Sequence, residues 1–95
     1  MRTQADGLRV DRLGVLTWPH VRALVDDIVT VSEEEILDAM RVVARSARLV
    51  AEPSGAVSVA AWLHRRGELG PADRPVAVLS GGTVDPVLFA RAVAD

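Results

Sequence analysis

Four successive apolar residues, Val76-Ala77-Val78-Leu79, run from Pro75 to Ser80-Gly81-Gly82 without a polar interruption. A strand with one face in water alternates apolar and polar side chains. An unbroken run instead predicts a strand covered on both faces, the pattern of a parallel sheet. The β-branched run Ile28-Val29-Thr30-Val31 reads as a second strand. Residues 5–10, ADGLRV, give a turn running into a short alternating segment, a third candidate.

Helices are expected between these segments. Thr17 stands where a cap belongs and Pro19 can open a helix, so His20 to Val25 are expected to be helical, ended by Asp26 and Asp27. Ser32 with Glu35 three residues on is a capping box, and Glu33 and Glu34 place negative charge at the positive end of the helix dipole. Ile36, Met40, Val43, Ala47 and Val50 then make an apolar stripe, with Glu34, Asp38, Arg41, Arg45 and Arg48 on the other face. Glu52-Pro53-Ser54-Gly55 breaks this helix and starts another, apolar almost all round from Ala56 to Arg65 and therefore largely buried. Residues 67–75, GELGPADRP, form a surface connection. Asp85 can cap and Pro86 can open a last helix with Val87, Phe89, Ala90 and Val93 inward.

Strands alternating with helices predict an α/β architecture with a parallel sheet and flanking helices. Two or three strands make a poor sheet by themselves and leave two edges unpaired. Ninety-five residues allow one domain at most. Residues 1–95 are accordingly expected to be a single partial domain, one piece of a larger α/β unit.

Composition removes several function classes. The sequence has no cysteine, so there is no disulfide framework, thiolate metal site or thiol nucleophile. A net charge of −2 with scattered arginines gives no basic stripe, which argues against nucleic acid as a partner. The apolar runs are far too short to span a membrane and the N-terminus has no signal-peptide pattern, so a cytoplasmic, unprocessed chain is expected. All eleven basic residues are arginine. Without a lysine side chain, Schiff-base chemistry with an aldehyde cofactor is closed to this chain alone.

The candidate site is the loop after the unbroken apolar run. Ligands of open parallel sheets bind at the carboxyl ends of strands, and Ser80-Gly81-Gly82 sits at such an end. Ser80 offers a hydroxyl, and the glycines permit close approach or unusual backbone angles. The same glycines would also serve a plain chain reversal. Glu52 fits two roles, a carboxylate capping the orphan amides of the following helix or one facing a ligand. Asp6-Gly7 is first of all a turn. His20 and His64 lie far apart without partners at metal-ligand spacing, and no metal site is expected. Trp18 reads as a loop anchor, and neither a GxxxxGK[ST] nor a GxGxxG loop is present.

Taken in order, ADG, TWPHVRALVDDIVTVSEEEI, EPSGA and VLSGGTVD resemble the C-terminal part of the threonine dehydratase and serine racemase family. The resemblance covers residues 5 to about 86. It implies the C-terminal portion of the large domain of a tryptophan synthase β-like fold, with pyridoxal 5′-phosphate as cofactor. On individual residues it implies that Ser80 hydrogen-bonds the pyridine nitrogen, that Gly81 lets the loop approach the ring, that Glu52 lies near the cofactor and that Gly7 lines its pocket. A neutral hydroxyl at the ring nitrogen suits β-elimination over transamination. Thr83 stands where the family usually has asparagine.

The resemblance further implies that the Schiff-base lysine, the phosphate cradle, the re-face serine and the small substrate domain lie upstream of these motifs. Three readings follow. The first is the C-terminal portion of a threonine or serine ammonia-lyase, inactive alone, which meets its amino-acid substrate only as part of a full enzyme, as a homo-oligomer or with a missing N-terminal fragment. The second, within the family, is serine racemase. The third is a non-catalytic α/β binding or interaction module.

Overall fold

The structure, a computed structural model, describes residues 2–94. Its regular elements are four α-helices: α1 (Thr17–Leu24), α2 (Glu33–Val42), α3 (Pro53–His64) and α4 (Pro86–Val93). Short 3-10 turns occupy Asp6–Leu8 and Arg66–Glu68, and α2 runs on into a π-helical turn, Val43–Ala47.

The capping box forms as the sequence predicts. Glu35 N–H donates to Ser32 Oγ at 3.1 Å, and Ser32 N–H donates to Glu35 Oε1 at 2.8 Å. Two of the four orphan amides that begin a helix are thus satisfied reciprocally. Ile36, Met40 and Val43 of the expected stripe are buried, together with Ala39. Ala47 and Val50 are not. The π-helical turn takes more residues per turn than the α-helix, which shifts the face that Ala47 presents. Arg48 then adopts a left-handed conformation (φ 57°, ψ 38°) and ends the helical path before Val50.

Small residues let α3 pack closely. α3 packs on α2 with Ala56 and Ala60 buried, Gly55 is buried as well, and Ala51, Ala92 and Ala5 complete the core. Polar contacts add to this at the rim. Arg65 of the α3 C-terminus reaches Glu35 Oε1 at 3.0 Å, and His64 Nε2 lies 2.8 Å from Asp38 Oδ2. Arg41 and Arg45, expected on the face opposite the apolar stripe, turn towards α4 and donate to the Ala92 and Val93 carbonyls at 3.1 Å each. Guanidinium groups there meet the negative end of the α4 dipole.

α4 opens as expected, with Val87 N–H donating to Asp85 Oδ1 at 2.9 Å and Pro86 at the first helical position. Its inward face differs from the expectation. Ala92 and Phe89 pack on the core, while Val87 is 71% exposed. α1 begins at Thr17, earlier than expected, with Leu16 as a cap residue that lends no side-chain bond.

The expected parallel sheet is not formed among the described residues. Ile28–Val31 and Val76–Leu79 follow non-helical paths without ladder partners, and residues 5–10 hold a 3-10 turn in place of a strand. A strand exists through hydrogen bonds to a neighbour, and these two segments do not pair with each other. Of the run that should be covered on both faces only Leu79 packs on the core, and Val76 is 85% exposed.

Candidate functional site

Three of the motifs meet at the N-terminus of α3. The Glu52 N–H donates to the Gly81 carbonyl at 3.2 Å, and the Ser80 N–H donates to the Gly55 carbonyl at 3.4 Å. From the other side, the Gly7 N–H donates to Ser54 Oγ at 2.8 Å. The first turn of α3 therefore holds the ADG turn and the SGG loop at once. Pro53 explains why a helix starts here, since its fixed φ suits the first helical position and its missing N–H costs no bond there.

Glycine is demanded at two of these positions. Gly81 has φ +73°, and a Cβ built on it would overlap Glu52 Oε1. Gly55 sits directly beneath the Ser80 backbone, so that a Cβ there would overlap the Ser80 carbonyl oxygen. Both are close approaches that only a residue without a side chain permits.

Glu52 occupies the N-cap position of α3 with extended backbone angles, yet its side chain accepts no capping bond. Its carboxylate lies against Gly81 and has no hydrogen-bond or ion-pair partner among the described residues. The Ser80 hydroxyl likewise makes no hydrogen bond within the described residues. Ser80, Gly81 and Gly7 are all exposed. The result is an open wall bearing one hydroxyl and one carboxylate, floored by glycine backbone.

All four residues singled out in the sequence, Gly7, Glu52, Ser80 and Gly81, belong to this wall. Thr83 lies beyond it, lining a cavity of about 250 Å³ with Gln4, Asp6, Pro53 and Arg91. The residues that sequence reasoning passed over are Ser54, Gly55 and Ser58. The signal for Gly55 was available, because a glycine in the first turn of an apolar helix marks a close approach. His20 Nδ1–H of α1 donates to the carbonyl of the cap residue Leu16 at 2.7 Å, and no cluster of metal-ligating side chains occurs among the described residues.

A family description, pyridoxal-phosphate dependent enzyme, matches residues 1–81. The chain belongs to that family. It is 48% identical over 87 residues to a serine racemase of Arabidopsis thaliana, an alignment covering 87% of this chain and 26% of the relative. It is 45% identical over 83 residues to an L-threonine ammonia-lyase of Geobacter sulfurreducens, covering 87% of this chain and 20% of that protein. A solved threonine deaminase of T.th. superposes with a TM-score of 0.76 at 42% identity, over 88% of this chain and 30% of the other. The chain thus spans only a minor part of the length of the curated relatives it matches, 26% and 20% for these two. The helices and their connections share the threonine deaminase fold, although the described residues carry no strand. No helix among the described residues is long and apolar enough to cross a membrane.

Proposed function

We propose that this chain forms the ring-binding wall of a pyridoxal-phosphate-dependent ammonia-lyase acting on L-threonine or L-serine. The observation that carries the reading is the convergence of Gly7, Glu52, Ser80 and Gly81 around the first turn of α3. Bound pyridoxal phosphate supplies an electron-withdrawing ring that eases loss of the amino-acid α-proton and, with it, of the β-hydroxyl.

The residues of the wall suit the ring end of that cofactor. Ser80 has an exposed hydroxyl with no internal partner, ready to donate to a ring nitrogen. Being neutral, it leaves the ring nitrogen largely unprotonated, which favours elimination over transamination. Gly81 keeps the loop free of side-chain bulk where a flat ring has to approach. Glu52, unpaired and beside Gly81, sets negative charge near the ring edge.

The sequence has no lysine, so the amine that must hold the cofactor covalently comes from outside these 95 residues. We place residues 1–95 as one partial domain whose extended segments, Ile28–Val31 and Val76–Leu79, become strands of a parallel sheet of the tryptophan synthase β-like type once neighbouring strands pair with them. The partner is a lysine-bearing polypeptide or segment of the same fold, in a cytoplasmic enzyme that assembles as a homo-oligomer. Serine racemase is the second reading, favoured by the Arabidopsis relative, because the same wall serves either outcome. A non-catalytic binding module is the third, favoured by the absence of lysine.

The test is an oxo-acid assay. The purified chain with pyridoxal phosphate and L-threonine or L-serine is expected to release no 2-oxobutanoate or pyruvate. Supplied with a polypeptide carrying the lysine strand and phosphate loop of the fold, it is expected to release them. Product from the chain alone contradicts the partial-site reading, and D-serine in place of oxo acid from the reconstituted pair favours the racemase.

A further inference from the structure

Two serines of α3 stand four residues apart, and that spacing puts both on one face of the helix. Ser54 Oγ accepts the Gly7 N–H at 2.8 Å, while the Ser58 hydroxyl donates to the carbonyl of Val78, two residues before Ser80. Between them lies Gly55, on which the Ser80 carbonyl rests. The ADG turn and the segment leading into the SGG loop are therefore both referenced to the same two turns of one helix.

We propose that Ser54 and Ser58 are positioning residues, a hydroxyl clamp that fixes the spacing between Gly7 and Ser80 and so the width of the slot that receives the cofactor ring. The proposal rests on the cofactor reading given above. Neither hydroxyl is required for α3 itself, because alanine has the higher helix propensity and the N-cap residue is Glu52. What each hydroxyl adds is a tertiary bond at one wall. The clamp works on backbone groups, an N–H at Gly7 and a C=O at Val78, so it sets position without touching the ligand.

The test uses the full 95-residue chain, paired with the lysine-bearing polypeptide of the proposed function, and its S54A, S58A and S54T variants. Two readouts are followed: amide hydrogen exchange at Gly7, and the dissociation constant of pyridoxal phosphate from nitrogen–proton shift titration. With one hydrogen bond lost, S54A is expected to exchange the Gly7 amide about fivefold faster and to bind pyridoxal phosphate about fivefold more weakly. S58A is expected to weaken binding by a similar factor while leaving the Gly7 amide unchanged. In both variants the helical circular-dichroism signal is retained, and S54T, which keeps the hydroxyl, restores both readouts. Unchanged Gly7 exchange in S54A, with ligand shifts intact, overturns the clamp alone. Absence of any ligand-induced shift in the unsubstituted chain paired with the lysine-bearing polypeptide overturns the cofactor reading, and the positioning role falls with it, even where the Gly7 bond is confirmed by exchange.

Discussion

Gly55 and Gly67 show at the residue scale how differently two glycines can matter. A Cβ on Gly67 meets nothing within 4 Å, whereas one on Gly55 runs into the Ser80 carbonyl, a backbone atom that cannot swing aside. G55A is expected to destabilise the chain by more than about 1 kcal/mol, and G67A to stay within about 0.5 kcal/mol, measured by urea unfolding. Gly81 adds a backbone demand to a steric one, with φ +73° and Glu52 Oε1 in the way. Replacement by alanine there is expected to cost about 1–2 kcal/mol from the left-handed angle alone. Because the flexible Glu52 side chain can move aside, pairing G81A with E52A should recover the steric part and leave the backbone part. These positions are conformational supports. Ser80 is different, for its hydroxyl holds nothing within the described residues. S80A is accordingly expected to leave stability within about 0.5 kcal/mol while weakening pyridoxal phosphate binding, a separation that G55A cannot show.

Among the elements, α2 gives the clearest passage from sequence to structure. Its capping box was legible because four residues carry all the required chemistry locally. Replacing the cap by S32A is expected to cost about 1 kcal/mol by denaturant unfolding. The same motif makes α2 sensitive to acid. Glu35 is held below its ordinary pKa, first by the Ser32 backbone N–H and then by Arg65, against an opposing effect of burial. A carboxyl depressed in the folded state contributes stability above its unfolded pKa and loses that contribution as pH falls through the folded value. Helical circular dichroism is therefore expected to decline on acidification below the ordinary carboxylate range, and less steeply in E35Q. The end of α2 was not legible. The apolar stripe continues to Val50, but the π-helical turn and the left-handed Arg48 end the helix earlier, and neither leaves a sequence mark such as glycine. The sheet does not form among the described residues, for another reason. Val76–Leu79 has the side chains of a strand, but pairing depends on a neighbour that side-chain pattern does not supply. The motifs ADG, EPSG and SGG are easier to read, since each carries a glycine or a proline at a turn. Their meeting depended on Ser54 and Gly55, whose tertiary role becomes visible only once α3 is in place.

The molecule as a whole leaves much apolar surface in water. Val76, Val78 and Ile28 are 85%, 72% and 68% exposed, all on segments with the composition of sheet strands. Such surface favours association, so sedimentation velocity is expected to show species that grow with concentration and that a complementary polypeptide of the same fold suppresses. A strictly monomeric chain at all concentrations would contradict that account. The wall around α3 brings residues far apart in the sequence into one surface, and the proposed function rests on it. Nitrogen–proton shift mapping of the 95-residue chain, paired with the lysine-bearing polypeptide and titrated with pyridoxal phosphate, tests this most directly. The account predicts that the amides of Gly7, Glu52, Ser80 and Gly81 shift together along one binding curve, and that S80A diminishes the curve. Shifts confined to other parts of the chain, or an unchanged curve in S80A, would contradict it.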